Sequence, residues 1–371
     1  MPRICVMSSV HPAVDPRIYL KEIKSLKSAG YDVVFLNRER SGEDESGVRF
    51  VKIDMPEGRL KRMFTAPFRF YSKAVGQKAD AYHFHDPELL PVGLLLKAKG
   101  KRVIYDVHED VPRQILTKSY LRPFLLKAVS RIFEPFEKFC ARRFTMNITA
   151  TSFIEEVFTR HNCRALTVTN YPLPEEFSSA AAVSRRLSDK VAYVGYISNI
   201  TGIHELVEAI GKSGATLELA GVFESESLME QTAALKGWEK VNYHGYQDRR
   251  QINEILSRCL AGIANYLPAP NSEFAQPNKI YEYMAAGVAV IASGFPLLKS
   301  VVEGGECGVC IDPQNPDDIA GAIDYMLEHP EKAEEMGNNG RRLVQTRYNW
   351  GSEEKKLLGF YEELFAGMKS A

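Results

Sequence analysis

The chain has only two tryptophans, no net charge (47 basic residues against 47 acidic) and no run of about eighteen apolar residues. The missing run excludes a spanning helix. With no basic-then-apolar leader at the amino terminus, a cytoplasmic protein, at most resting on the inner face of the cell membrane, is expected. The six cysteines show no paired spacing, which points to reduced thiols rather than a disulfide framework. Cys307 and Cys310 have the gap of a zinc knuckle, but no second pair exists and the residues around them read as a buried strand. No Asp-x-Asp pair is available to hold a divalent cation on a diphosphate, so neither a metal nor another cofactor is expected. The absence of G-x-G-x-x-G weakens a dehydrogenase reading, and a neutral chain without a nucleic-acid module argues against nucleic-acid binding.

A chain of 371 residues, 45% apolar, exceeds one ordinary core and calls for two domains. The charge is divided unevenly. Residues 1–170 hold 29 basic and 19 acidic residues, a net of +10, and residues 171–371 hold 18 and 28, a net of −10. Short apolar strands alternate with amphipathic helices in both halves, the pattern of an α/β doubly wound parallel sheet. Strands are expected at Ile4–Met7, Val33–Leu36, Ala81–His85, Val103–Val107 and Asn147–Ala150, then at Val191–Gly195, Thr216–Ala220, Val241–His244, Gly262–Ala264, Val288–Ala292 and Val309–Ile311. Prolines near Asn170–Glu176 interrupt both periodicities, giving domains 1–170 and 171–351 with a final helix from Ser352 to about Lys369. Ligands in open α/β sheets bind beyond the carboxyl ends of the strands, so the polar residues there are the candidates.

The most specific stretch is QPNKIYEYMAAG, Gln276–Gly287, followed by the apolar run VAVIAS. It reads as a loop, a helix opened by Pro277 and Asn278, a glycine stop and a buried strand. A helix start offers free N–H groups to phosphate, and Glu282, one turn on, can accept two hydrogen bonds from a vicinal diol. A nucleoside diphosphate fits both. This stretch resembles the nucleotide-sugar motif of retaining GT-B glycosyltransferases, the bacterial group 1 type that builds capsule, exopolysaccharide and O-antigen glycans.

The resemblance implies two Rossmann-like domains facing a central cleft. It also implies a metal-independent retaining transfer of a sugar from a nucleotide donor, here a UDP-sugar, to a glycan or lipid-linked acceptor. Glu282 would hold the ribose and Lys279 the phosphates, with Gly195, Tyr196, Asn199 and Thr201 forming the glycine turn at the next helix start and Tyr246 a neighbouring loop. The sequence departs from the family pattern twice. Tyr196 and Thr201 stand where the family usually has arginine and lysine, and the position eight before Glu282 is Phe274, with Glu273 displaced by one. Arg249 and Arg250 are weaker candidates for the missing charge.

In the first half, Tyr82–Glu88 closes a strand with a polar cluster. Its HxH-acid-Pro segment resembles one that places the second histidine, here His85, against the donor sugar; His83 shares its strand face by the period of two. His108 and Glu109 follow the next strand and could orient an acceptor hydroxyl, while His11, Asp15, Arg17 and Asp86 are the acceptor-side candidates. Two stretches, Arg59–Lys73 and Tyr120–Phe144, mix basic and aromatic residues in the manner of interfacial helices, which suggests weak peripheral membrane contact. A metal-independent nucleotide-sugar epimerase of the same fold, with Asp86 and Glu109 as acid and base, is the alternative, and a non-catalytic nucleotide- or glycan-binding protein is the third reading.

Overall fold

A computed structural model describes residues 1–56, 58–117, 122–177, 189–270 and 272–366. Tyr120 and Lys369, and the side chains of Arg59, Arg62 and Met63, lie outside the description. The chain divides into two compact units, Met1–Asn170 with Trp350–Ala371, and Tyr171–Asn349.

The first unit holds an eight-stranded sheet. In chain order its strands are β1 (Arg3–Met7), β2 (Asp32–Asn37), β3 (Gly42–Glu43), β4 (Arg49–Lys52), β5 (Ala81–Phe84), β6 (Arg102–Val107), β7 (Met146–Thr149) and β8 (Ala165–Thr167). The spatial order is β3-β4-β2-β1-β5-β6-β7-β8, parallel except for β3 on β4. Apolar runs such as Ile4–Met7 and Val33–Leu36 are wholly buried because helices cover both faces. Strand β5 stops at Phe84, one residue before the expected end, which leaves His85 as the first loop residue. Strands β3, β4 and β8 were not expected; they are short and lie toward the sheet edges, where half-exposed residues blur the apolar signal.

The second unit is a six-stranded, all-parallel sheet of β9 (Lys190–Val194), β10 (Thr216–Ala220), β11 (Val241–Gly245), β12 (Ala261–Ala264), β13 (Ala289–Ser293) and β14 (Gly308–Ile311). Its order is β11-β10-β9-β12-β13-β14. In each sheet the chain winds outward in both directions from a central pair, β1/β5 in the first and β9/β12 in the second. The loops leaving such a pair diverge and open a crevice, which fixes where a ligand can bind.

The last helix, Trp350–Phe365, belongs to the first unit. Its Trp350 Nε1 donates to Ser25 Oγ at 3.0 Å, its Glu353 accepts from the Thr169 amide at 2.9 Å, and its Tyr361 hydroxyl meets His83 Nδ1 at 2.9 Å. No helix among the described residues is long and apolar enough to cross a membrane.

Candidate functional site

In the second unit the crevice is built around one short helix. Asn278–Ala285 follows the extended Pro277 and ends before Gly287, whose φ of +67° suits glycine. Tyr283 sets its position. The ring lies where a Cβ on Gly262 would intrude to 2.4 Å, and its hydroxyl accepts from the Val194 amide at 3.0 Å while reaching the Ile263 carbonyl at 3.3 Å. The helix is thereby pinned to the carboxyl ends of both β9 and β12.

Lys279 consequently enters a closed space. Its ammonium lies 3.6 Å from the centroid of the Tyr193 ring and 5.3 Å from that of Tyr266, a cation–π arrangement. It is buried and has no hydrogen-bond acceptor among the described residues. Burial lowers its pKa to about 7, against a smaller upward pull from Glu282. The same ammonium faces Gly195, where an added Cβ would sit 3.4 Å from Nζ. Gly195 has φ of +121°, and its amide donates to the Ala220 carbonyl at 2.9 Å. Glycine therefore lets a cation and a bare turn approach each other, as a diphosphate requires.

Glu282, one turn along, is held rather than free. Arg249 Nη1 donates to its Oε1 at 2.7 Å, and Arg249 Nε lies 3.5 Å from Glu176. Arg249, expected to be solvated, is instead the residue that orients this carboxylate. Nothing local in the sequence signals a partner 33 positions away. Arg250 is exposed and pairs with Glu254. Tyr196 and Tyr246 are exposed, as are Asn199 and Asn278, whereas Thr201 is not available to a ligand. Its hydroxyl donates to the Ser198 carbonyl and accepts from the Ser198 amide, closing its own turn.

In the first unit, Asp86 ties together the loops leaving the central pair. One carboxylate oxygen accepts from Ser8 Oγ at 2.8 Å, the Ser9 amide at 2.6 Å and the Val10 amide at 3.1 Å; the other lies 3.0 Å from His11 Nδ1. Burial opposes ionisation of Asp86, but these partners outweigh it and hold the carboxyl well below its ordinary range. For His11 burial pulls the pKa down, yet Asp86 carries it above the ordinary value.

Beneath lies a buried quartet, Glu22, His83, His85 and Asp106, whose ligand-type atoms fall within 4.8 Å of one another. Arg17 is its internal cation, 2.9 Å from Asp106 and 3.0 Å from Glu22. The five-residue spacing of Arg17 and Glu22 joins one face only because the helix opens with a wide turn, in which the Leu20 amide reaches back to Asp15. Burial and the neighbouring Asp106 raise the Glu22 carboxyl well above its ordinary range. Burial also acts to raise Asp106, but Arg17 and His108 hold it well down. Burial lowers both histidines, His85 to about 3.

The expected site residues separate accordingly. His85 stacks on His83 at 4.6 Å, and its Nδ1 lies 3.1 Å from His108 Nε2 and 3.2 Å from Asp106; its side chain is buried instead of projecting openly. His108 is partly exposed and packs 4.8 Å from His11, forming a rim of two imidazoles above His85. Glu109 is exposed and bonded to Gln114. Asp15 and Arg17, expected on the acceptor side, are structural here: Asp15 caps its helix by accepting from the Arg17 and Ile18 amides, and Arg17 is buried in the quartet. Glu22, Asp106, Tyr193 and Tyr266 complete these sites without having been singled out from sequence.

Comparison with known proteins falls on the same division. Residues 19–173 match the glycosyl transferase 4-like domain and residues 176–343 match the glycosyl transferases group 1. An MMP alpha-(1->4)-mannosyltransferase of Mycolicibacterium hassiacum is 23% identical over 78% of this chain and 72% of its own. The D-rhamnosyltransferase WbpZ of Pseudomonas aeruginosa is 23% identical over 72% and 69%. Among solved structures, sucrose-phosphate synthase from Thermosynechococcus elongatus superposes with a TM-score of 0.80 at 21% identity, covering 99% of this chain and 100% of that one. Anabaena HepE in complex with UDP and glucose does so at 0.73 and 16%, covering 98% and 100%.

Proposed function

The chain belongs to the GT-B glycosyltransferases, and from that premise we propose that it moves a sugar from a UDP-sugar to a glycan or lipid-linked acceptor, with retention and without a metal, in the synthesis of a bacterial surface polysaccharide. The observation that carries this reading is the Lys279 ammonium, buried, without a hydrogen-bond acceptor among the described residues and facing the bare turn at Gly195. A buried cation that loses much of its basicity is a standing expense to the fold unless an anion completes it. A diphosphate set between Lys279, Gly195 and the helix start at Pro277 and Asn278 would do so. The UDP and glucose held by the similar HepE chain support a uridine nucleotide.

In this reading Glu282, steadied by Arg249, accepts both ribose hydroxyls. Tyr196, Asn199 and Tyr246 border the nucleotide, and Thr201 shapes the turn from within. Charge builds on the departing phosphate as the glycosidic bond breaks, and Lys279 supports it there; one such donor is worth about 3 kcal/mol of barrier. The acceptor hydroxyl attacks from the leaving-group face and passes its proton to that phosphate, so no side-chain base is required. In the first unit His11, His108 and Glu109 are the candidate acceptor groups, and Asp86 fixes His11 by joining its loop to the strand end.

The experiment is titration calorimetry with UDP and UDP-sugars on wild-type protein and Glu282→Ala, followed by an assay for UDP release with candidate acceptors. Binding of UDP that weakens at least tenfold in the variant supports the reading. Undiminished binding overturns it, and sugar isomerisation without acceptor would transfer the protein to the epimerases.

A further inference from the structure

The Leu90–Ala98 helix of the first unit packs against both the Arg59–Gly76 and the Pro123–Ala141 helices, and all three contribute buried side chains to one core, among them Phe70, Leu96 and Cys140. The outer surface of the Pro123–Ala141 helix is unusual. Leu125, Val129, Ile132, Phe136 and Phe139 are all exposed, Ile132 at 73%, and their spacing of four, three, four, three puts them on one face. A solvated helix carries polar residues there. Phe64 and Phe68, on the Arg59–Gly76 helix, are exposed at 68% and 77%. Isolated exposed apolar residues need no explanation, but a continuous stripe does.

The charge around the stripe selects its occupant. Lys127 and Arg131 are exposed on the same helix, Arg142 and Arg143 follow its end, and Lys61, Arg69 and Lys73 are exposed on the Arg59–Gly76 helix, which contains no acidic residue. Of the two acids on the Pro123–Ala141 helix, Glu137 is buried and paired with Lys138, leaving Glu134 alone among the cations. A second copy docking on the stripe would set like charge against like charge. An anionic lipid surface presents the opposite sign over an apolar interior, and amphipathic helices with basic borders lie in such a surface with the apolar stripe sunk into it.

We propose that the exposed stripe of the Pro123–Ala141 helix, together with Lys127 and Arg131 of the same helix and Arg142 and Arg143 after its end, docks the protein on anionic bilayers. The basic residues supply a salt-sensitive attraction and the stripe a salt-resistant one. The test is co-sedimentation of the full chain with vesicles of phosphatidylglycerol and phosphatidylcholine, and with phosphatidylcholine alone. Binding to the anionic vesicles should exceed that to the neutral ones at least tenfold. Ile132→Ser with Phe136→Ser should cut it about tenfold at unchanged thermal midpoint, and Lys127→Glu with Arg131→Glu should do the same at low salt. Equal binding by all variants, or none by the folded wild type, would overturn the proposal. So would a dimer in light scattering that the serine variant dissolves while vesicles fail to bind. Nucleotide binding is read separately, so failure here leaves the donor-site reading standing.

Discussion

Gly195 and Lys279 meet at the carboxyl end of strand β9, so close that a methyl group added to the glycine would rest 3.4 Å from the lysine nitrogen. With φ at +121°, the turn also strains any residue bearing a side chain. Gly195→Ala is expected to weaken UDP-sugar binding tenfold or more while lowering stability by about 1–2 kcal/mol. Calorimetry and chemical denaturation separate the two effects.

Lys279→Met should produce a protein that is more stable and nearly inactive. The folded pKa of about 7 lies below the ordinary 10.5, so between those values the unfolded chain binds more protons and stability rises with pH. Removing the amine relieves about 4 kcal/mol at pH 7, and the gain should shrink toward pH 10. Turnover should fall roughly 10²- to 10³-fold. A variant that is less stable than wild type at pH 7 would contradict the burial argument.

The same lysine links binding to protons. A diphosphate favours the charged amine and raises its pKa, so binding takes up a proton just above pH 7, and the lysine's contribution to affinity declines as pH rises through that region. Calorimetry in two buffers of different ionisation enthalpy measures the uptake, which Lys279→Met should reduce.

Arg249 acts on the nucleotide through Glu282. Losing Glu282 should cost UDP binding more than losing Arg249, and the double variant should bind about as weakly as Glu282→Ala alone, a coupling of about 1 kcal/mol. Additive losses would show that Arg249 touches the ligand independently.

Tyr361→Phe removes the hydroxyl that satisfies His83 and should lower stability by about 1 kcal/mol. Tyr361→Ala, which empties a fully buried site, should cost about 3–5 kcal/mol. Thermal or urea unfolding reads both.

What could be read in advance was whatever repeats locally. The apolar runs of the central strands, the Pro277–Asn278 opening and the Gly287 stop each announce themselves within a few residues, and strand ends place His85, Asp86 and Gly195 in loops while Glu282 falls one turn into its helix. What escaped depends on distance or on unusual pitch. Arg17 and Glu22 share a face only in a widened turn, so an ordinary helical period separates them. Arg249 and Glu282 meet through the sheet order, and Thr201 turns inward because its hydroxyl closes a local turn that its residue type alone does not announce.

One consequence concerns synthesis. The first unit is interrupted in sequence: residues 350–365 come off the ribosome after the whole of the second unit, yet Tyr361 and Trp350 complete its interior. The contiguous unit, Tyr171–Asn349, therefore leaves the ribosome with every one of its elements before the first unit has its last helix, inverting the usual amino-terminal-first order of completion. Until the final helix arrives, His83 waits without its phenol and the nascent amino-terminal half is incomplete.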